Sequence, residues 1–417
     1  MPEDEDRQSI YDEDPEEPII QLGYAEEPEG DLCPASFPSK LGGKPAWLNP
    51  ETIPEVSQLT CPQCQEPMVF LLQLYAPEDE PEEAFHRTIF IFCCRNGKCH
   101  RQSSRLFKVF RAQLPRENAY YPPSSSSDDD DDVDNEDEER GEEKTSGAKP
   151  TLQKGHAHMC LVCGIKAEKA CGACHVARYC SKAHQRLHWT QGEHKQQCPL
   201  VAKVEKDSEE NVPALTTPAG EDRMSKILFH LSEIVSEPEP ERKEGRDDED
   251  GYNAGEVELL QRMRVSENPA MADAVEDAED SAAEVDSAFL TFQERISLSP
   301  DQILRYGRTE YGMPSGQPLW LSDLGKPVEG KDIPACERCK APRTFEFQIL
   351  PQVFNHLGID HMAADSLDWG TLTIWTCMEN CTTDGVYVEE VIWRQDVSED
   401  GIGAKYRQAA SKLPPSE

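Results

Sequence analysis

Apolar positions fall into a few ordered stretches separated by long polar ones. Residues 68–74 (MVFLLQL), 88–94 (TIFIFCC) and 343–350 (RTFEFQIL) are short runs rich in β-branched and aromatic side chains. Their length is that of buried strands, far below the ~20 apolar residues of a membrane-spanning helix. Helical spacing is rarer. In AFLTFQERI it places Phe289, Phe292 and Ile296 on one face. The following SPDQILRYG reads as a cap, a proline at the first helical position and a second short helix. In MSKILFHLSEIV the residues Ile227, Leu228, Leu231, Ile234 and Val235 recur at helical spacing, which predicts a short amphipathic helix inside a linker. Residues 122–150 are low in complexity, dominated by Ser, Asp and Glu, and predict disorder.

The two ends of the chain repeat each other. Gly43-Lys-Pro45-Ala-Trp47-Leu48 matches Gly316-Gln-Pro318-Leu-Trp320-Leu321. Next, Cys61-x2-Cys64-x2-Pro67-x2-Phe70-x2-Gln73 matches Cys336-x2-Cys339-x2-Pro342-x2-Phe345-x2-Gln348. TIFIFCCRNGKC and TLTIWTCMENC are both apolar runs ending in a cysteine pair, and Val109-Phe110-Arg111 corresponds to Ile392-Trp393-Arg394. Four landmarks in one order predict a duplicated β-rich module. The fold class expected is α+β and β-rich: two zinc-binding β modules, a small zinc finger inserted between them, and disordered acidic linkers. The expected boundaries are an acidic tail over 1–18, an N-terminal module over 19–121 and a linker over 122–155. The finger follows over 156–200, then a second linker over 201–286 and a C-terminal module over 287–408.

Charge sharpens this division. The 417-residue chain carries a net −38, with only 37% hydrophobic residues. Residues 1–31 contribute −12, 128–143 contribute −11 and 207–288 contribute −17, so everything else is +2. The acid lies in tails and linkers. Nucleic-acid binding, which needs a concentrated basic surface to displace counterions, is disfavoured, and a basic protein partner is favoured. The finger region 154–206 is locally +6, suited to an acidic partner or to the chain's own linkers.

The chain's 16 cysteines carry the chemistry. The opening MPEDEDRQSI has neither a basic n-region nor an apolar h-region, which predicts a reducing compartment, cytoplasm with or without nucleus. Close thiol pairs there read as zinc ligands. Each β module offers a hook before one strand and a second at the end of a later strand, four thiolates for a tetrahedral ion. The C-terminal set is Cys336, Cys339, Cys377 and Cys381. In the N-terminal set, Cys61, Cys64 and Cys99 are joined by Cys93 or Cys94, with His100 as another donor within reach. Aligning the repeats puts Cys377 on Cys94 and Thr376 on Cys93, and so selects Cys94. Between the modules run Cys160, Cys163, Cys171, Cys174, Cys180, His184, His194 and Cys198, eight N/S donors for two closed sites. About four structural zinc ions per chain are expected, leaving Cys33 and Cys93 over. His156, His158, His175 and His188 are expected at the surface.

The middle cluster, with Tyr179-Cys180-Ser181-Lys182, Gln185 and Trp189, resembles the MYND zinc finger. The resemblance implies a cross-brace: Cys160, Cys163, Cys180 and His184 on one zinc, Cys171, Cys174, His194 and Cys198 on the other. His184 stands where most such fingers have cysteine. It also implies a groove for short proline-containing peptides at Gln185 and Trp189. FPSKLGGKPAWL, CPQCQEPMVFLLQLYAP, AFHRTIFIFCC, FEFQILPQ and YVEEVIWRQD, among other strings, resemble the programmed cell death protein 2 family over about 19–121, 156–200 and 289–400. That family implies a dedicated chaperone in small ribosomal subunit production. Its implied client is eukaryotic small-subunit protein two, the counterpart of bacterial small-subunit protein five. Trp47 and Trp320, in equivalent Pro-x-Trp-Leu motifs, are candidates for lining a client cleft or packing it shut. No nucleophile elbow, P-loop, dinucleotide fingerprint or methyltransferase segment is found, so a non-enzyme is expected.

Overall fold

The computed structural model describes residues 20–101, 105–121, 156–202, 215–240, 287–309, 315–360, 363 and 366–396. The expected acidic tail, the first acidic linker and most of the second lie outside the described residues. Two strands build the centre of the N-terminal half: β3 (Val69–Tyr75) and β4 (His86–Cys93). Almost every side chain on them is buried, because both faces of the sheet are covered. β5 (Phe107–Leu114) completes an antiparallel meander, and short β2 (Lys40–Leu41) pairs on the other side of β3. The C-terminal half repeats the plan with β9 (Leu304–Tyr306), β10 (Arg343–Ile349), β11 (Thr371–Cys377) and β13 (Val391–Gln395).

The duplication extends to individual bonds. Phe70 faces Phe92 and Ile91 faces Val109, while Phe345 faces Trp375 and Ile374 faces Ile392. Each half has a β-bulge at the same place, between Phe70 and Leu72 and between Phe345 and Phe347. Gln73 uses its amide to hold the segment before Trp47, accepting from Ala46 N at 2.8 Å and donating to Pro38 O at 3.0 Å. Gln348 does the same before Trp320, accepting from Leu319 N at 2.9 Å and donating to Leu319 O at 2.6 Å.

The halves are not separate modules. β1 (Gln21–Glu26) and β8 (Ser232–Pro238) pair antiparallel over six register positions, and they join the halves into one 11-stranded sheet. With β12 (Val388–Glu389) at one end, the order is β12-β5-β4-β3-β2-β8-β1-β9-β10-β11-β13. β1 precedes the N-terminal half in sequence yet borders β9 of the C-terminal half, and β8 precedes the C-terminal half yet borders β2. Each repeat thus lends its leading strand to the other. At the far side β12 (Val388–Glu389) pairs with β5, while β13 pairs with β11. Glu390 alone separates them, and its N–H reaches Val109 O at 2.9 Å, so one segment draws both ends of the sheet nearly into a barrel.

Two sequence expectations are corrected here. MSKILFHLSEIV does not form a helix in a disordered linker. A helix over Pro218–Ser225 ends before most of this stretch and β8 begins at Ser232, with Ile234 buried and Val235 exposed. Period-two alternation and two pairing partners override the helical spacing. SPDQILRYG likewise yields β9 rather than a second helix, because Leu304 to Tyr306 are claimed on both sides, by β1 and by β10. The helix over AFLTFQERI does form, spanning Ser287–Ser297, with Phe292 buried against Leu321 and Leu350.

Between the halves lies a buried charged cluster that the sequence reading did not foresee. Arg87 on β4 makes a bidentate pair with Glu346 on β10, at 2.7 and 2.6 Å, both side chains fully buried. Arg308 bonds Glu78 at 2.6 Å and reaches Glu346 at 3.4 Å. Glu346 is the residue at the C-terminal bulge; its N-terminal counterpart is Leu71. The sequence signal was an acid inside the apolar run RTFEFQIL. A second bridge, Arg111–Glu390–Arg343 at 2.7 Å on each side, pins the closing segment.

Candidate metal centres and docking surface

Four C-x2-C hooks share one backbone design. The residue after the second cysteine adopts positive φ in every case: Gln65 (58°), Gly164 (74°), His175 (58°) and Lys340 (66°). Its N–H turns back to the carbonyl of the first cysteine, at 2.9 Å for Gln65, 2.8 Å for Gly164 and 2.9 Å for His175 and Lys340. This left-handed step reverses the chain and points both thiols to one side. Burial alone would raise the first thiols of three hooks, but backbone N–H groups within the turn outweigh it. The result is a lowered pKa at Cys61 (from Cys64 and Gln63) and Cys171 (from Cys174 and Ala173), and one of about 7 at Cys336 (from Cys339 and Arg338). Cys160 is lowered chiefly by the Cys163 and Cys180 thiols. These turns favour the thiolates that a metal needs.

Long-range folding supplies the remaining donors. β3–β4 pairing carries Cys94 to the N-terminal hook, and the short helix α1 (Gly97–His100) adds Cys99. β10–β11 pairing brings Cys377 and Cys381 to Cys336 and Cys339. In the finger, β6 (Lys169–Ala170) and β7 (Arg178–Tyr179) form a small hairpin, followed by α2 (Lys182–Thr190) and α3 (His194–Val201). Four groups of donors result: Cys61/Cys64/Cys94/Cys99, Cys160/Cys163/Cys180/His184, Cys171/Cys174/His194/Cys198 and Cys336/Cys339/Cys377/Cys381. Within each, the donor atoms lie within 4.8 Å of one another. Sulfur pairs at 3.7 Å (Cys64–Cys94), 3.6 Å (Cys163–Cys180), 3.8 Å (Cys171–Cys198) and 3.7 Å (Cys336–Cys381) match the ~3.8 Å edge of a tetrahedron with ~2.3 Å zinc–sulfur bonds. His184 offers Nδ1, 3.1 Å from Cys180 Sγ, and His194 offers Nε2, 3.5 Å from Cys174 Sγ. The donor chemistry fits zinc four times, each set complete, as structural sites are.

The structure places Cys93 outside these groups, fully buried on β4 with its pKa raised by burial. His100 is buried too, its Nε2 2.7 Å from Cys94 O, and belongs to no donor group. His188, expected at the surface, is fully buried; its Nδ1 lies 2.8 Å from the Tyr179 hydroxyl and its ring stacks on His194 at 4.8 Å. It therefore packs against a metal-ligand candidate by stacking, while His194 Nδ1 has no hydrogen-bond partner among the described residues.

The docking candidates separate. Trp189 on α2 is 38% exposed, and Gln185 on the same helix is half-buried. Trp47 is not a cleft wall. It is 2% exposed, stacks on Phe90 and Phe92 at 5.2 and 5.6 Å, and donates from Nε1 to Gly164 O of the finger at 2.8 Å. Its partner is the chain's own finger. Trp320 is half-buried against Ile333, Phe345 and Trp375. A helix α4 (Pro218–Ser225), the one preceding β8, lies against the finger at α2 and α3. Its contact was not foreseen, because nothing in the sequence ties residue 217 to residue 193.

Comparison with known proteins agrees with this geometry. Residues 19–128 match the N-terminal domain of programmed cell death protein 2, residues 286–396 its C-terminal domain, and residues 160–198 the MYND finger. Programmed cell death protein 2 of Rattus norvegicus is 38% identical over 381 residues, 91% of this chain and 97% of the rat protein. The Bos taurus protein is 40% identical over 384 residues, with the same coverage. A Schizosaccharomyces pombe protein named probable 20S rRNA accumulation protein 4 is 35% identical over 115 residues, 25% of this chain and 26% of its own length. No solved structure matches the chain. With both terminal domains, the finger between them and near-complete coverage of its relatives, the chain belongs to the programmed cell death protein 2 family.

Proposed function

We propose that this chain is a zinc-stabilised dedicated chaperone that captures a newly made basic protein of the small ribosomal subunit and supports 40S subunit production. The observation that carries the reading is the similarity to the fission-yeast protein named for 20S rRNA accumulation. The family resemblance supplies the client, eukaryotic small-subunit protein two. Charge is consistent with it: the acid of the chain is concentrated in its tail and linkers, suited to screening a basic protein. Among the described residues each of the four donor sets has four ligands, as structural rather than catalytic zinc has, and the proposed chaperone is a non-enzyme of cytoplasm and nucleus.

The manner of capture differs from two modules closing on a cleft. The repeats share one sheet and Trp47 is sealed inside, which favours capture at the outer surface, with the acid of the tail and linkers screening the client's charge. Purification of the chain from cells, with identification of stoichiometric partners, tests the reading. A small-subunit ribosomal protein is expected, bound less tightly as salt rises within the ~10 Å screening range at 0.1 M. Its absence from the stoichiometric fraction overturns the proposal.

A second reading, an adaptor in transcription or chromatin taking proline-containing peptides, draws on the exposure of Trp189. Deleting residues 156–200 would strip Trp47 of its bond to Gly164, so Trp189→Ala is the cleaner test. Retained client capture in that variant favours the chaperone; lost partner binding favours the adaptor.

A further inference from the structure

Residues 215–225 form a strap between the finger and the sheet. Leu215 packs on the main core, and the Thr216 hydroxyl lies 3.3 Å from His188 Nε2. Thr217 Oγ1 donates to Glu193 Oε2 at 2.5 Å and accepts from Gly220 N at 3.1 Å, capping α4. Arg223 pairs with the other oxygen of Glu193 at 2.5 Å and donates to Gln191 O at 3.0 Å. Glu193 itself sits at φ 61°, immediately before the metal-ligand candidate His194. One carboxylate therefore holds the strap through a hydroxyl and a guanidinium.

The strap also carries a Thr-Pro pair at Thr217-Pro218. The chain has one other Ser/Thr-Pro pair, Ser299-Pro300. Thr217 is half-buried and Pro218 is exposed. We propose that Thr217 is an acceptor site for a proline-directed protein kinase, and that its phosphorylation lifts the strap from the finger. In that step the γ-phosphoryl group of a nucleoside triphosphate forms a bond to Thr217 Oγ1. The bond from that phosphorus to the bridging oxygen breaks, and the nucleoside diphosphate leaves with the electron pair. The hydroxyl proton passes to the kinase. The product removes the hydrogen that Thr217 gave to Glu193 and sets a phosphate of charge about −2 against a carboxylate. Attraction becomes repulsion at the anchor. The face of α2 and α3 around His188 and Gln191 then opens to partners. This holds whichever partner the finger takes.

The test uses the full zinc-loaded chain, a proline-directed kinase and ATP, with site mapping by mass spectrometry and hydrogen exchange over 188–193 and 215–225. Losing this part-exposed hydrogen bond alone should raise strap opening ~3- to 10-fold on phosphorylation. Ser299→Ala should leave that rise intact. Thr217→Ala should abolish the kinase-dependent rise, whatever its own effect on the cap. Glu193→Gln, which keeps the phosphoacceptor but removes the opposing charge, should show a smaller rise. Modification of Ser299 with Thr217 untouched overturns the proposal. So does full modification of Thr217 with unchanged exchange, as when Arg223 transfers to the phosphate and keeps the strap closed.

Discussion

Glu346→Gln should destabilise the fold sharply although it alters no surface. The carboxylate is fully buried and accepts two bonds from Arg87, at 2.7 and 2.6 Å, plus one from the Thr376 hydroxyl at 2.5 Å. Arg308 keeps Glu78 at 2.6 Å after the exchange, but Arg87 keeps only one neutral amide oxygen in place of two carboxylate oxygens, beside Ala76 O at 3.4 Å and Thr376 Oγ1 at 3.1 Å, and the amide NH2 faces another donor. A buried guanidinium left without its counter-charge costs about 3–5 kcal/mol. With a urea m-value of ~2–3 kcal/mol per M, the midpoint should fall by roughly 1–2 M in zinc-saturated protein. The double variant Arg87→Met/Glu346→Leu removes both charges and restores at the bulge the leucine of the N-terminal repeat. It should unfold within ~1 kcal/mol of the parent, or above it. Burial would raise the Glu346 pKa, but Arg87 and Arg308 outweigh it and hold it at about 2, against 4.5 for the free group. The stabilising contribution of a depressed acid is full above the unfolded value and fades as pH falls through the folded one. The difference between parent and Glu346→Gln should therefore be constant above pH 4.5 and vanish towards about 2. A Glu346→Gln variant within ~1 kcal/mol of the parent, or a double variant as weak as the single, would refute the reasoning.

Removing residues 207–284 should abolish the fold, since it takes away β8, whereas removing 241–284 should preserve it; near-ultraviolet circular dichroism and hydrogen exchange of β1 distinguish the two. Elemental analysis of saturated protein should give four zinc ions per chain, and two or fewer would exclude the sites in the β-rich halves. Cys336→Ser should unfold the C-terminal half, since a structural zinc site contributes ~10 kcal/mol or more, and retained cooperative melting would contradict this. Gln73→Leu and Gln348→Leu should each cost about 1–3 kcal/mol by leaving the Ala46 or Leu319 N–H without its acceptor, read from urea midpoints.

The metal donors and the duplication were legible in the chain, because both are written in local spacing. A C-x2-C hook closes within five residues, and the left-handed step after it follows from a local turn. Matched intervals also separated Cys94 from Cys93, since register transfers between repeats whose strands pair alike. What the sequence could not determine is how the two repeats join. β8 reads as a helical patch in an acidic linker until β1 and β2 claim its backbone from either side. Leu304 to Tyr306 become a strand for the same reason. The exchange of leading strands, the sealing of Trp47 under the finger, the buried Arg87–Glu346 pair and the Thr217–Glu193 contact all join residues remote in sequence. Hydrogen bonds and burial between such residues are decided by which surfaces meet, and no local pattern carries that information.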